Sequence, residues 1–500
     1  MKNRKGTFII ALDQSTSATK AMLFSTQAKL IDRISIPHKQ YYPQPGFVEH
    51  DPVEIYDNSV RGILEILRKT LIKTSEIACL AITNQRETCM IWDRNTGKPV
   101  ANAAVWQCQR GVPSCESLKK KGYSEKIREK TGLIIDSYFS ASKMQWILNN
   151  TPDAKEHAKR GDLLAGTMDT WLLWNLTGGK VHSTDYSNAC RTMLFNIRTL
   201  QWDEELIELF DLYPSMFPAV RYSDEVFGKV TDPRLKSING LLVAGLIGDS
   251  HGALFGQHCF APGMTKATFG TGSSIMMNIG KTPGEAPAGL VTSIGFGKDK
   301  TIDYVFEGNI HCTGDTINWL ANDLKLIGSP KEAEEIARTV SDTGGVYLVP
   351  AFVGLGAPYW DSEARAIVCG MRRDTLKAHV VRAALESIAY QIKDLIDLMV
   401  ERSGVNLKEL RVDGGPTRNE FLMQFQTDIL QKPVVRCAIE EISALGSVFM
   451  AGLASGIWKD TKEIEKLRIV EKTFRNRMDP DEIKRLYTGW TQAVKRARFK

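Results

Sequence analysis

The chain has no Cys-x-x-Cys pair, and its nine cysteines are odd in number, so neither a disulfide framework nor a cysteine-based zinc site organises it. A reducing, cytoplasmic setting is expected. It also lacks any apolar run long enough to cross a bilayer, so no membrane partner is expected. The basic stretch Lys2–Lys5 precedes only a short apolar run that closes on Asp13, which argues against a signal peptide. Charge of one sign is not concentrated either. The net charge of +6 is spread over patches such as Lys119–Lys121 and the tail Lys495–Lys500, the pattern of solvated helix faces, and no nucleic-acid partner is expected. Low-complexity linkers are missing throughout. What remains is a 500-residue chain with 43% apolar and 24% charged residues, more than one hydrophobic core supports, and we expect two large domains over 1–255 and 256–500.

Strand-like runs at Thr7–Leu12 and Ala78–Ile82 alternate with a helical pattern at Asp51–Ile72, which predicts an α/β fold. Between Thr7–Leu12 and Ala21–Phe24 lies the hydroxyl-rich turn Asp13-Gln14-Ser15-Thr16-Ser17-Ala18-Thr19-Lys20. The arrangement recurs in the second half, where Thr265–Phe269 leads into Gly270-Thr271-Gly272-Ser273-Ser274 and then Ile275–Met277. Either turn alone is an ordinary strand connection. Together they suggest two copies of one fold facing across a cleft, with backbone N–H groups and hydroxyls offered to the phosphates of a nucleotide.

The Gly-rich passage Gly240–Gly256 reads as the crossing between the domains, and Ala378–Val400 as a long amphipathic helix. Leu410–Val412, Asp413-Gly414-Gly415 and Asn419–Leu430 read as strand, tight turn and helix, an element that can bring backbone close to a ligand. Asp249 closes an apolar run and precedes Ala253-Leu254-Phe255, a boundary where a side chain can face a cleft or merely cap a helix. His251 is the rival candidate for a base. Arg86 and Glu87 offer the donors and acceptor that a polyol needs, though such a pair is commonly a surface ion pair.

Several segments together carry a resemblance over nearly the whole chain. They are Ile82-Thr83-Asn84-Gln85-Arg86-Glu87-Thr88, Ala104-Val105-Trp106-Gln107-Cys108, Tyr138 to Trp146, Thr184 to Ala189, Gly354 to Asp361, and Arg411-Val412-Asp413-Gly414-Gly415. The chain resembles the FGGY carbohydrate kinases, most nearly their glycerol-phosphorylating members. That resemblance implies two actin-like (ribonuclease-H-like) domains, with ATP and a small polyhydroxylated substrate meeting between them, and γ-phosphoryl transfer to a terminal hydroxyl. It also implies Mg²⁺, held by Asp13, and a homo-oligomer, dimer or tetramer. Thr16, Ser17, Lys20 and Thr271 are similar to the family's phosphate-contacting residues, and Gly314, Asn318, Gly415 and Asn419 to its nucleotide contacts. Arg86, Glu87, Trp106 and Tyr138 match the substrate wall, and Asp249 the catalytic base.

The chain departs from the pattern in several places. Lys20 replaces an arginine and Asn318 a glutamine. Ser15 replaces a glycine, which is tolerable at negative φ. Ser250 and His251 follow the base where the glycerol-phosphorylating members have glutamine next, and Ser274 stands where they place a phenylalanine. These last changes widen and polarise one wall. They lead us to expect an acceptor somewhat larger than glycerol, a C4–C5 polyol or ketose, with glycerol retained as a candidate. An actin-superfold ATPase or a sugar-binding sensor without turnover would share the hairpins; the former would not need the wall around Arg86.

Overall fold

The computed structural model describes residues 7–287, 289–439 and 441–498; Lys2–Lys5 and the last two residues of the basic tail lie outside the described residues. Two mixed sheets dominate. The first orders its strands Val226–Lys229, Leu242–Gly248, Ile77–Asn84, Phe8–Gln14, Ala18–Ser25, Leu30–Pro37. The second runs Val291–Lys298, Thr301–Ile310, Ser273–Gly280, Met264–Phe269, Glu409–Asp413, Val434–Cys437, Val470–Phe474. In each, an antiparallel hairpin is followed by two parallel strands and an antiparallel edge strand. The second sheet adds one strand, Val291–Lys298, at the other edge. The two halves therefore repeat one topology, as the paired hairpins suggested.

Strand alternation sorts the side chains. In the first sheet Ile10 and Leu12 pack with Ile55, Ile63 and Ile66 of the helix Pro52–Thr70. Ile9 and Ala11 face the other way, into a core shared with Leu254, Phe255, Leu445, Val448 and Phe449, and Asp13 continues that face. That shared core joins the two halves, because Leu445, Val448 and Phe449 belong to the helix Ile442–Ala454 from late in the chain. This helix crosses Asp249–Gly256 with backbone against backbone. A Cβ on Gly446 would lie 1.9 Å from the Gly252 carbonyl oxygen, and one on Gly256 would lie 2.3 Å from that of Ile442.

Several elements extend past their sequence limits. Asp13 and Lys20 are strand residues, so the first turn shrinks to Ser15–Ser17, and Ser274 likewise sits in a strand. Gly240–Gly256 holds an interior strand, Leu242–Gly248, and the helix Asp249–Gly256. The long helix spans Lys377–Ser403, and Asn419 caps, rather than begins, the helix Glu420–Leu430. Ser15 is absent from the positive-φ residues, so its replacement of glycine is unstrained. All nine cysteines are free. No helix among the described residues is long and apolar enough to cross a membrane.

Replacing Gly446 with alanine should force the two interdomain helices apart and cost about 1–3 kcal/mol. Thermal unfolding checks this. A midpoint equal to the parent's would mean the helices are not in backbone contact.

Candidate active site

Register places polar residues in rows across the cleft face of the second sheet. Asn309, Ser274, Thr268 and Asp413 are successive cross-strand partners, and one step deeper so are Glu307, Met276, Lys266 and Arg411. The opposite face, with Ala267, Phe269, Ile275, Met277 and Val412, is packed core. The rows face the first domain, because Glu307 reaches across to it. Its carboxylate accepts from Arg86 Nη1 and Nη2 at 3.1 and 2.8 Å, and from Arg191 Nη1 at 2.7 Å. Burial would raise the Glu307 pKa, but Arg191 and Arg86 hold it well below the usual carboxylate range. Burial would likewise lower that of Arg86, yet Glu307 and Glu87 hold it above its ordinary value.

Around this ion cluster stands the expected substrate wall. Glu87 is buried, accepts from Arg191 Nε at 2.6 Å, and occupies the left-handed region at φ 60°. A non-glycine residue held there is strained, and such strain concentrates at functional sites. Arg86 and Glu87 are therefore not a surface pair. Trp106 and Tyr138 meet edge to face with ring centroids 5.5 Å apart, and Lys143 Nζ donates to the Tyr138 carbonyl. Trp106 Nε1 donates to Thr16 Oγ1 at 3.0 Å, which links the wall to the first hairpin. Burial raises the Tyr138 pKa and keeps its hydroxyl protonated.

Asp249 opens the helix Asp249–Gly256, whose N-cap is Gly248, so the capping alternative does not hold. Its side chain keeps 38% of its surface open, and Arg86 Nε lies 3.5 Å from its Oδ1. Desolvation by the surrounding walls raises its pKa, and Arg86 opposes the shift. Ser250, next to it, is half-buried. His251 is not a rival. It is fully buried behind Arg86, its Nδ1 3.5 Å from Arg86 Nη1, and burial drives its pKa well down, leaving a neutral ring whose Nε2 has no hydrogen-bond partner among the described residues.

Asp13 lies in the same field. Its pKa is raised to about 7: burial is the largest cause, Lys20 opposes it, and Asp249 and Glu441 add to it. Two carboxylates that repel each other's charge at a cleft fit a divalent cation, which takes one or two carboxylates and completes its shell with water and phosphate oxygens. No group of three or more metal-ligating side chains occurs among the described residues, so the protein offers that cation only this sparse set. Lys20 is engaged elsewhere than expected: its Nζ donates to Glu441 Oε2 at 2.8 Å, with Asp13 3.6 Å away, while Arg33 holds the other Glu441 oxygen at 2.7 Å. Ser17 and Thr271 are exposed at the two turns.

A cavity of about 590 Å³ collects the nucleotide candidates. Thr271, Gly314, Asn318, Gly415 and Asn419 line it together with the apolar Ile317, Leu385, Ile388 and Leu422. Asn419 Oδ1 accepts from the Leu422 N–H at 2.9 Å, and the Gly314 N–H donates to the Gly270 carbonyl at 3.0 Å. The close approach belongs to Gly414, at φ 99°, where a Cβ would meet the Phe269 oxygen at 2.0 Å; Gly415 has open space instead. Such a pocket, mostly apolar with a few polar groups beside a hydroxyl-bearing turn, suits a purine nucleotide.

The comparisons agree with this geometry. Residues 8–256 match the FGGY family of carbohydrate kinases, N-terminal domain, and residues 265–455 match its C-terminal domain. The chain belongs to the FGGY family of carbohydrate kinases. It is 49% identical over 492 residues to the glycerol kinase of Caldanaerobacter subterraneus subsp. tengcongensis, covering 98% of both chains. It is 50% identical to that of Carboxydothermus hydrogenoformans, again over 98% of each. A crystal structure of Plasmodium falciparum glycerol kinase with ADP superposes with a TM-score of 0.95 at 35% identity, covering 99% of this chain and 98% of that one. This FGGY kinase is thus a phosphotransferase.

Glu307, Arg191, Lys266, Asp413 and Glu441 were not foreseen. Charged residues inside apolar strand runs, Lys266 within Thr265–Phe269 and Glu307 after Val305-Phe306, were the available signal. Replacing Glu307 with glutamine leaves two buried guanidinium groups short of charge, and about 3–5 kcal/mol of stability should be lost. Because Glu307 titrates well below its unfolded value, its contribution is full at neutral pH, begins to fall below about 4 and is lost completely only once the pH drops through the much lower folded value. Denaturant unfolding of parent and variant at pH 7 and pH 3 checks both: the gap should be widest at pH 7 and measurably smaller, though not closed, at pH 3, and a gap independent of pH would contradict the charge pairing.

Proposed function

We propose that the protein transfers the γ-phosphoryl group of ATP to a terminal hydroxyl of glycerol or a closely related small polyol or ketose, with Asp249 as general base. The carrying observation is the Asp249 carboxylate, partly exposed, 3.5 Å from Arg86 and within electrostatic reach of Asp13 and of Lys266 from the second sheet. The identity shared with glycerol kinases supports glycerol as an acceptor.

In this reading the residues up to 255 supply the substrate side and those from 256 the nucleotide side. Ile317, Leu385, Ile388 and Leu422 would hold the base of the nucleotide, Asn318, Gly415 and Asn419 would offer polar contacts, and Gly314 lines the same cavity. Thr271 from one hairpin and Thr16 and Ser17 from the other donate to phosphate oxygens, and Lys20 supplies positive charge beside them. Asp13 would hold Mg²⁺, which would supply charge neutralisation at the phosphates. Arg86 and Glu87 orient the acceptor hydroxyls, and Trp106 and Tyr138 cover its carbon-bound hydrogens. Asp249 accepts the proton of the attacking hydroxyl as the new oxygen–phosphorus bond forms. A homo-oligomer in the cytoplasm is part of the same proposal.

Asp249→Asn should reduce turnover by about 10²–10⁴-fold while ATP affinity stays within about twofold. Steady-state kinetics beside calorimetric ATP binding checks it. Near-parental turnover would remove Asp249 from the role of base, and normal acceptor binding by the parent with no phosphorylated product would favour a sensor over an enzyme.

A further inference from the structure

The turn Ser15–Ser17 of the first hairpin has its carbonyls engaged on one side and its amides idle on the other. Gln14 Nε2 donates to the Ser15 carbonyl at 2.7 Å, and Gln85 Nε2 lies 3.4 Å from the same oxygen. His38 takes the next two: its Nε2 is 2.9 Å from the Thr16 carbonyl oxygen, and its backbone N–H donates to the Ser17 carbonyl at 3.3 Å. Gln14, Gln85 and His38 are all buried, so these oxygens point into the domain. A peptide group is planar and trans, which sets its N–H opposite its C=O. Holding the Ser15 and Thr16 carbonyls inward therefore turns the N–H groups of Thr16 and Ser17 outward, and neither has an acceptor among the described residues. Ser17 is exposed there and Thr16 half-buried. Successive outward N–H groups make a concavity that binds anions.

His38 is placed for this by the edge strand Leu30–Pro37, whose last residue pairs with Ala18 just after the turn. A carbonyl oxygen only accepts, so the ring carries its hydrogen on Nε2. Burial lowers its pKa and leaves it neutral, with Nδ1 bare and without a partner among the described residues. His50 packs against it edge to face, with ring centroids 4.5 Å apart, and His50 Nδ1 lies 3.2 Å from Gln85 Nε2. The two rings and Gln85 form one support beneath the turn. Trp106 Nε1 meanwhile donates to Thr16 Oγ1, and because an indole N–H cannot accept, the Thr16 hydroxyl keeps its hydrogen free.

We infer that His38 is a positioning residue for phosphoryl transfer: by holding the Thr16 and Ser17 carbonyls it sets the outward N–H groups of the turn, and the Thr16 hydroxyl beside them, for the phosphates of the nucleotide. The inference rests on the kinase reading above and adds to it a residue that need touch neither ligand. Donors fixed before the nucleotide arrives need no reorganisation as charge moves during transfer, so their orientation enters the rate as well as the affinity.

The test compares the parent with His38→Phe, which keeps a ring without the donor, and His38→Gln, which restores a donor at similar reach. Calorimetry with Mg²⁺ should show the affinity for the β,γ-imido analogue of ATP falling about tenfold in His38→Phe, while that for adenosine, which brings no phosphate, stays within about twofold. With ATP and glycerol, kcat should fall at least about tenfold and KM for glycerol should stay within about twofold. His38→Gln should recover most of both losses. A purely structural role would weaken adenosine and the analogue together and would lower the thermal midpoint without this split. Should His38→Phe not fold, His38→Leu, close to glutamine in shape but without a donor, takes its place against His38→Gln. Equal analogue affinity and kcat in the donor-bearing and donor-lacking variants would overturn the inference and leave the kinase reading intact. A parent that forms no phosphorylated product and binds the analogue no more tightly than adenosine would overturn both.

Discussion

The buried pairing of Glu307 with Arg86 and Arg191 is the constraint on which the site depends. Two guanidinium groups from the first domain and one carboxylate from the second sheet meet without solvent, so none can leave without stranding the others. The contact that joins the domains therefore also sets the substrate wall. Arg86 is fixed with its Nε free toward Asp249, and Arg191 holds Glu87 by its carboxylate while the backbone there stays in the left-handed region. Domain contact and acceptor recognition rest on one cluster.

Above that floor, sheet register does the positioning. Because partners directly opposite share a face, four strands present Asn309, Ser274, Thr268 and Asp413 side by side, and the same rule in the first sheet aligns Lys20, Asp13 and Thr83. Burial disfavours the charged form of Asp13 and of Asp249 and raises both pKa values. Glu441 binds Lys20 and Arg33 from the second domain, so the first hairpin is anchored to its opposite half as well.

Much of this was legible before any coordinates. Thr7–Leu12 and Thr265–Phe269, each followed by a small polar turn, revealed the duplicated hairpins because strand periodicity and turn chemistry are local. The nucleotide residues Thr271, Gly314, Asn318, Gly415 and Asn419 do line one cavity. What local pattern could not reveal was partnership. Lys20 is paired with Glu441 across 421 positions of sequence, and Arg86 with Glu307 across 221, contacts that only the folded topology creates. His251 looked like a plausible base beside Asp249, yet helical geometry turns it into the core behind Arg86.

The central claim is that the two halves hold a nucleotide and an alcohol so that phosphorus passes between them inside the cleft. Phosphorus-31 NMR of the protein incubated with ATP, Mg²⁺ and the acceptor tests it most directly. The account predicts a phosphomonoester on a primary carbon, formed in step with ADP. Inorganic phosphate released with ADP, and no ester, would contradict it.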